Sequence, residues 1–442
     1  MKAALSATSI RAVDACEVLD SRGRPTVWCE VTLASGIKGS ASVPSGASTS
    51  SHERHELRDG GKRYGGWGVL GAVTNVGSLL RPAVEGLDAT DQRTVDWSLA
   101  AADGTQDLSR AGANAVLAVS VATAVAAAGS AGIPLYTYFA TSLGTEPLLP
   151  LPMVNIISGG AHAGRRLDIQ DFLVVPIGAG SFAEAIQWAA SVREATRGEA
   201  TARGHFAELV ADEGGLGLAL DDNRSALDLV CAGIESAGLR PGADVGIAID
   251  VAANQLATPG GYELRTEGRE FDAASFIAEL KGWCRDYPIV SIEDPLSDDD
   301  WPGWQLAASQ MAGSVQLLGD DLFATDLTRL ERGIAMGAAN AVLVKPNQIG
   351  TLTGAFDVLR RARSVGFATV VSARSGETED TWLADLAVGW AAGQIKVGST
   401  TRSERTAKWN RLLCIEHALG SSALFAGAKA LAPGQRGGKS LN

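Results

Sequence analysis

The chain has 442 residues, of which 46% are hydrophobic and 20% charged, with 38 Lys and Arg against 50 Asp and Glu and a formal net charge of -12. That length suits a large barrel plus a second domain better than one small core. The acidic balance excludes nucleic acid or an anionic membrane surface as the main partner, but local cations can still receive a small anionic substrate.

The N-terminal MKAALSATSIRAVDACEV has one lysine and no long apolar run before Arg11 and Asp14, so no signal peptide is expected. The five cysteines, Cys16, Cys29, Cys231, Cys284 and Cys414, are scattered and lack CxxC spacing, which predicts reduced thiols in a cytoplasmic protein. Residues 5–44 read as strands, with PTVWCEVTLASG and KGSASVP separated by a Gly-containing turn. SGASTSSHERHELRDGGKRYGGWG (45–68) is small, polar and glycine-rich, and a mobile functional loop is expected over 45–65. Helical patterns follow from about 69 to 130. Their last stretch, ANAVLAVSVATAVAAAG (113–129), predicts a helix buried on all sides, being short and too rich in Ala, Ser and Thr for a membrane span. TEPLLPLPM (145–153) is proline-punctuated and marks the boundary between a first domain over 1–144 and a second over 145–432, with a flexible tail over 433–442.

Beyond that boundary a theme repeats: an apolar strand ends in a polar residue and a helical stretch follows. The strands read as IQDFLVVPIG, ELVADEGG, VGIAIDVAA, IVSIEDP, VQLLGDDLF, AVLVKPNQ, ATVVSARS and QIKVGST. Eight strands alternating with helices predict a closed β/α barrel. An open doubly wound sheet is the alternative, but no clean GxGxxG follows a strand. A barrel carries its site at the C-terminal ends of its strands, where the sequence places Glu213, Asp250, Glu293, Asp320, Lys345, Arg374 with Ser375, and Lys396. One carboxylate after a strand is usually a helix cap. So many ionisable groups at one end of a barrel must pair with each other or hold a metal.

Asp250, Glu293 and Asp320 offer the hard oxygen ligands that suit Mg²⁺, with salt bridges to neighbouring lysines as the alternative. Asp294 and Asp321 alternate away from the ligand positions and are left outside the set. Lys345 and Lys396, close to a metal and to another cation, are expected to have lowered pKa values, which makes a base available. Glu213 could act as a general acid on the opposite side, and Arg374 with Ser375 could hold a phosphate. These parts describe proton abstraction beside a metal-bound carboxylate, followed by acid-assisted departure of a leaving group.

VPSGAST, HELRDG, GGAHA, DEGG, SIEDP, GDDLF, KPNQIGTL, RSGETEDT, GQIK and RSER occur in order along the chain. With them the sequence resembles the enolase family over nearly its whole length, from LDSRGRPTV at 19–27 to ALFAGAKAL near the C-terminus. The resemblance implies an α/β fold, an enolase-type β/α barrel with an N-terminal α+β capping domain, in a homodimer or higher homo-oligomer. It implies two Mg²⁺ ions, the second bound with substrate, a combination general to enolase-type sites. Asp250, Glu293 and Asp320 match the ligands of the first ion and Ser48 a ligand of the second. Lys345 matches the base that removes the C2 proton of 2-phosphoglycerate, and Glu213 the acid that assists loss of the 3-hydroxyl. Arg374 and Ser375 match phosphate contacts, Lys396 a partner of the substrate carboxylate, and His162 a histidine on a mobile active-site loop.

The chain departs from the family pattern near the site. Ala373 stands where histidine is usual, Asp171 where glutamate is usual, and Ser158 where asparagine precedes GGAHA. GDEGGFAPN appears as ADEGGLGLA, KVNQIG as KPNQIG with Pro346, SRGNPTVEVEV as SRGRPTVWCEV, and STGVHEA as STSSHER. Ala373 and Asp171 shorten side chains where the resemblance places the phosphate and the leaving hydroxyl, so both count among the candidate site residues. A larger or different substrate group is expected there, as in a secondary-metabolism paralogue that forms an enolpyruvate product. An ordinary glycolytic enolase with neutral drift is the second reading. A non-catalytic binding or structural paralogue is the third, and the retained Lys345, Glu213 and metal carboxylates argue against it.

Overall fold

The structure is a computed structural model that describes residues 6–46 and 50–432. Ser48 and the expected tail over 433–442 lie outside the described residues.

The N-terminal part begins with three antiparallel strands, β1 (Ile10–Leu19), β2 (Pro25–Leu33) and β3 (Lys38–Ser42), in the order β1-β2-β3. Three longer helices follow, α1 (Gln92–Asp103), α2 (Ala113–Ala131) and α3 (Leu135–Leu143). The small side chains of α2 let it pass directly over the sheet. A Cβ built on Gly39 of β3 would lie 2.1 Å from the backbone nitrogen of Ala126. Among the described residues α2 is the one helix long and apolar enough to cross a membrane, and 83% of its apolar window is buried inside the protein.

The C-terminal part is a closed eight-stranded barrel. Its strands are β4 (Leu151–Ser158), β5 (Asp171–Val175), β6 (Gly246–Asp250), β7 (Ile289–Glu293), β8 (Gln316–Gly319), β9 (Ala341–Val344), β10 (Ala368–Ser372) and β11 (Gln394–Gly398). Helices α4 (Phe182–Ala202) and α5 (Asn223–Ser236) both lie between β5 and β6. From β6 onward each strand is followed by one longer helix, ending with α11 (Ser403–Leu419). Side chains such as Leu151, Met153, Leu173, Leu318, Leu343 and Val370 fill the lower barrel, which leaves its upper end for chemistry.

Two expectations are corrected here. ELVADEGG is not a barrel strand: Leu209 and Val210 are exposed, and the segment makes only isolated bridges at Val210 and Leu216. The missing strand is β4, inside the stretch read as a boundary. Pro152 lies at its second position and pairs in parallel register with Ile395, a place near a strand start where the absent N–H is tolerated. The alternation of strand and helix also fails once, because β5 runs antiparallel to both β4 and β6. The link between β4 and β5 therefore stays at the upper end of the barrel.

The two parts are tied by specific hydrogen bonds. The Asp96 carboxylate accepts from Thr353 N at 2.8 Å, the Ser120 hydroxyl accepts from Leu352 N at 3.1 Å, and the Trp382 indole donates to Ser42 O at 3.0 Å. Asp300 and Asp326 follow strands but cap helices, accepting from Gly303 N and from Thr328 and Arg329 N, the ordinary fate of such carboxylates. Gly39→Ala should lower stability by at least about 2 kcal/mol in denaturant unfolding, because the added methyl meets helix backbone that cannot rotate away. An unchanged midpoint would show that α2 shifts freely off the sheet.

Candidate active site

Asp250 ends β6, Glu293 ends β7 in register with it, and Asp320 follows β8 by one residue. All three are buried. Lys396, in the middle of β11, donates to Asp250 Oδ2 and to Glu293 Oε2, each at 2.7 Å. Lys345, just past β9, donates to Asp320 Oδ2, and Gln348 Nε2 donates to Asp320 Oδ1 at 2.9 Å. Thr325, at a positive φ of 50°, donates to Gln348 and accepts from Lys345 N at 3.0 Å. On the other side Gln170 Nε2 donates to Asp250 Oδ2 at 3.0 Å. The lysine pairs read from sequence as the alternative to a metal are thus present.

They do not satisfy the carboxylates. Among the described residues, Glu293 Oε1 is buried without a hydrogen-bond partner. Burial and the neighbouring Asp250 push Glu293 well above the usual carboxylate range. A hard cation among Asp250, Glu293 and Asp320 would relieve both conditions, so the residues fit a divalent metal. Asp294 stands behind them at φ 40° and accepts from Asp320 N at 2.9 Å and Asp321 N at 2.8 Å, which orients that turn. Asp294, Asp320 and Asp321 also bring carboxylate oxygens close enough together to hold an ion. Burial lowers both lysines, but Asp320 with Glu293 outweighs it at Lys345, and Asp250 with Glu293 outweighs it at Lys396, so both are raised while those carboxylates carry their full charge; the expected lowering is one that a metal on the carboxylates would bring.

A second network lies beside the first. His162, in the turn after β4, contacts Asp171 Oδ2 through Nδ1 at 2.9 Å, and its Nε2 is 3.9 Å from Glu213 Oε1. Asp171 Oδ1 accepts from Ser158 Oγ at 2.9 Å and from Asn155 Nδ2. The two shortened residues are therefore partners: Ser158 reaches the carboxylate that Asp171 holds back. Asp171 is fully buried and sits behind His162, away from the cavity that His162 and Glu213 line. Burial opposes charge on His162, but Asp171 and Glu213 outweigh it and raise the imidazole to about 9. Burial likewise opposes charge on Glu213, yet His162, Arg405, Lys396 and Lys345 hold it below the usual carboxylate range.

Arg374 and Ser375 close the third side. The Arg374 guanidinium is buried and forms a forked pair with Glu53, at 3.0 and 3.1 Å. Arg405, fully buried, donates to the carbonyls of Arg374 and Ser375, each at 2.6 Å, and fixes their backbone. Ser375 Oγ accepts from Arg22 at 3.5 Å, and Arg22 also holds Ser45 O at 3.0 Å. Ala373 is 6% exposed and lines the same cavity, about 20 Å³, as Lys345, Lys396, Glu213, His162 and Asp250. That is room for one water, so a substrate enters only as the ion pairs rearrange.

The structure thus gathers Lys345, Lys396, Glu213, His162, Asp250, Ala373, Arg374 and Ser375 around one cavity, with Glu293 and Asp320 against the lysines and Asp171 behind. Sequence reading missed Gln170, Gln348, Thr325, Glu53 and Arg405. Arg405 and Glu53 sat inside quoted motifs, RSER and STSSHER, and Gln348 inside KPNQIG, but nothing in their spacing marked a role.

A carboxylate and lysine site at the upper end of a β/α barrel, capped by a separate α+β domain, marks a barrel of the enzyme type whose acidic groups could hold a metal. The sequence matches the description "Enolase, N-terminal domain" over residues 10–139 and "Enolase, C-terminal TIM barrel domain" over residues 146–433. The chain belongs to the enolase family. His162 should titrate near pH 9 in NMR spectra. Because its folded pKa is raised, its contribution to stability is complete below about 6.5 and disappears as pH rises through about 9. Asp171→Asn should move the titration clearly downward; an unchanged value would place the charge source elsewhere.

Proposed function

We propose that the protein is a Mg²⁺-dependent lyase that removes the C2 proton of 2-phosphoglycerate, or of a close relative, and forms an enolpyruvate. The observation that carries this reading is the convergence of Lys345, Glu213 and the Asp250, Glu293 and Asp320 carboxylates with Arg374 on one buried cavity. Mg²⁺ bound by the three carboxylates, with a second ion arriving with substrate, would supply charge stabilisation for the carboxylate next to the reacting carbon.

This chain's own residues do the rest. Asp320, once neutralised by a cation, no longer holds the proton on Lys345, and burial then favours the neutral amine that accepts the C2 proton at Nζ. Lys396, released from Asp250 and Glu293, is free to receive the substrate carboxylate. Arg374 and Ser375 orient the phosphorus group. Glu213 is ionised before substrate arrives; a polyanionic ligand beside it raises its pKa, so that it can hold a proton for the departing hydroxyl. His162, held by Asp171, steadies that proton position.

Within this class we favour a diverged paralogue, with carboxyphosphonoenolpyruvate synthase of phosphinate antibiotic biosynthesis as the best candidate. Ala373 removes a donor and a ring from the cavity wall, and Asp171 with Ser158 draws a carboxylate back from it. Both changes suit a larger phosphorus group. The complete set of base, acid and metal carboxylates favours the ordinary glycolytic dehydration of 2-phosphoglycerate as the second reading.

The deciding experiment follows 2-phosphoglycerate with Mg²⁺ in D₂O by NMR. C2 deuterium exchange with little phosphoenolpyruvate, abolished in Lys345→Ala, is the expected result. Fast phosphoenolpyruvate formation would establish the glycolytic reading, and no exchange together with no Mg²⁺ binding by calorimetry would overturn the enzyme reading. Ala373→His combined with Asp171→Glu should raise dehydration by about a hundredfold or more, the lower end of the range attributed to one acid–base group.

A further inference from the structure

The guanidinium assigned to the substrate's phosphorus group is already paired. Glu53 makes both N–O contacts with Arg374, and the two side chains are 9% and 2% exposed. This is the geometry in which guanidinium binds a carboxylate or a phosphate most tightly. Glu53 belongs to the capping domain, and its segment is held across the barrel mouth by its neighbours. Ser50 Oγ donates to Asp298 at 2.9 Å, His52 Nε2 lies 3.2 Å from Asp299, Arg54 pairs with Asp326 at 3.0 Å, and Arg54 N donates to Gln348 O at 2.8 Å. Ser50 and Arg54 are among the positions where this chain departs from the family pattern.

We propose that Glu53 is a resident anion that competes with ligand for Arg374, so that only an anion held more strongly than a carboxylate, such as a dianionic phosphorus group, occupies the site. This inference rests on the reading of Arg374 as the phosphate contact. A ligand anion at Arg374 leaves a choice between two buried anions on one cation and a displaced Glu53, and the first is strongly unfavourable. Displacement has a destination: Glu53 also lines a cavity of about 350 Å³, together with Arg54, His55, Arg58 and Glu56, in which two arginines outnumber the one other carboxylate. A carboxylate ligand only replaces one monoanion by another and gains nothing by the exchange. A phosphoryl dianion brings twice the charge to the same fork and gains by it.

The test measures binding of inorganic phosphate and of acetate at pH 7.5 by calorimetry to the full chain and to Glu53→Gln, Glu53→Ala and Arg374→Gln. Glu53→Gln keeps the side-chain shape, and Glu53→Ala covers the case in which the amide is poorly accommodated. The expected result is phosphate binding about tenfold tighter in both Glu53 variants, the scale of one hydrogen bond to a charged group. Acetate binding should rise by a similar factor, and adding Arg374→Gln should remove the gain. Unchanged or weaker phosphate binding in the Glu53 variants, with Arg374→Gln still weakening it, would overturn the competition and leave the phosphate site standing. Phosphate binding indifferent to Arg374→Gln in every background would overturn the phosphate site itself.

Discussion

Burying three carboxylates together at the mouth of a barrel is the constraint around which this molecule is arranged. Asp250, Glu293 and Asp320 repel one another in a medium that screens poorly, and each would be driven to protonate if left alone. Lys396 bridges two of them and Lys345 holds the third. The arrangement is stable enough to fold but incomplete, since one oxygen of Glu293 has no hydrogen-bond partner among the described residues. An ion-paired cluster of this kind is suited to a cation, because a metal held by the carboxylates would take over the charge that the bridging lysines now balance.

The surrounding structure serves that cluster at one remove. Gln170 and Gln348 fix individual carboxylate oxygens, and Thr325 accepts a left-handed backbone unusual for a β-branched residue to bring Gln348 and Lys345 together. Arg405 spends its guanidinium on backbone carbonyls, so the Arg374 and Ser375 backbone is set by a residue that faces no substrate. The capping domain adds Arg22 and Glu53 from outside the barrel. Both domains thereby line the mouth of the barrel, while Lys345 and the three carboxylates belong to the barrel itself.

Much of this was legible in the sequence. Strand ends after apolar runs gave Asp250, Glu293, Asp320, Lys345 and Lys396, because a parallel barrel delivers every such end to one face. The same rule misassigned Glu213, which reaches the site from a loop whose apolar residues face solvent. It also passed over β4, since prolines at a strand start look like a boundary when pairing is unknown. The reversed β5 has no signature at all: strand direction follows from which neighbour it meets. The sign of the lysine shifts was not legible either, because it depends on which carboxylates lie within reach and on what else those carboxylates hold. Glu53 was visible as a residue but not as a partner, since contact with Arg374 joins positions 321 residues apart.

The order in which the barrel closes also bears on how the chain is made. β4 is buried along its whole length and pairs with β11 on one side. During synthesis that edge waits for about 240 further residues, roughly 12 to 50 s at ordinary elongation rates. The reversed β5 covers the other edge of β4 almost at once, so β4 itself exposes one adhesive edge instead of two. A strand that interrupts the regular alternation thus shortens the time during which the growing chain can stick to its neighbours.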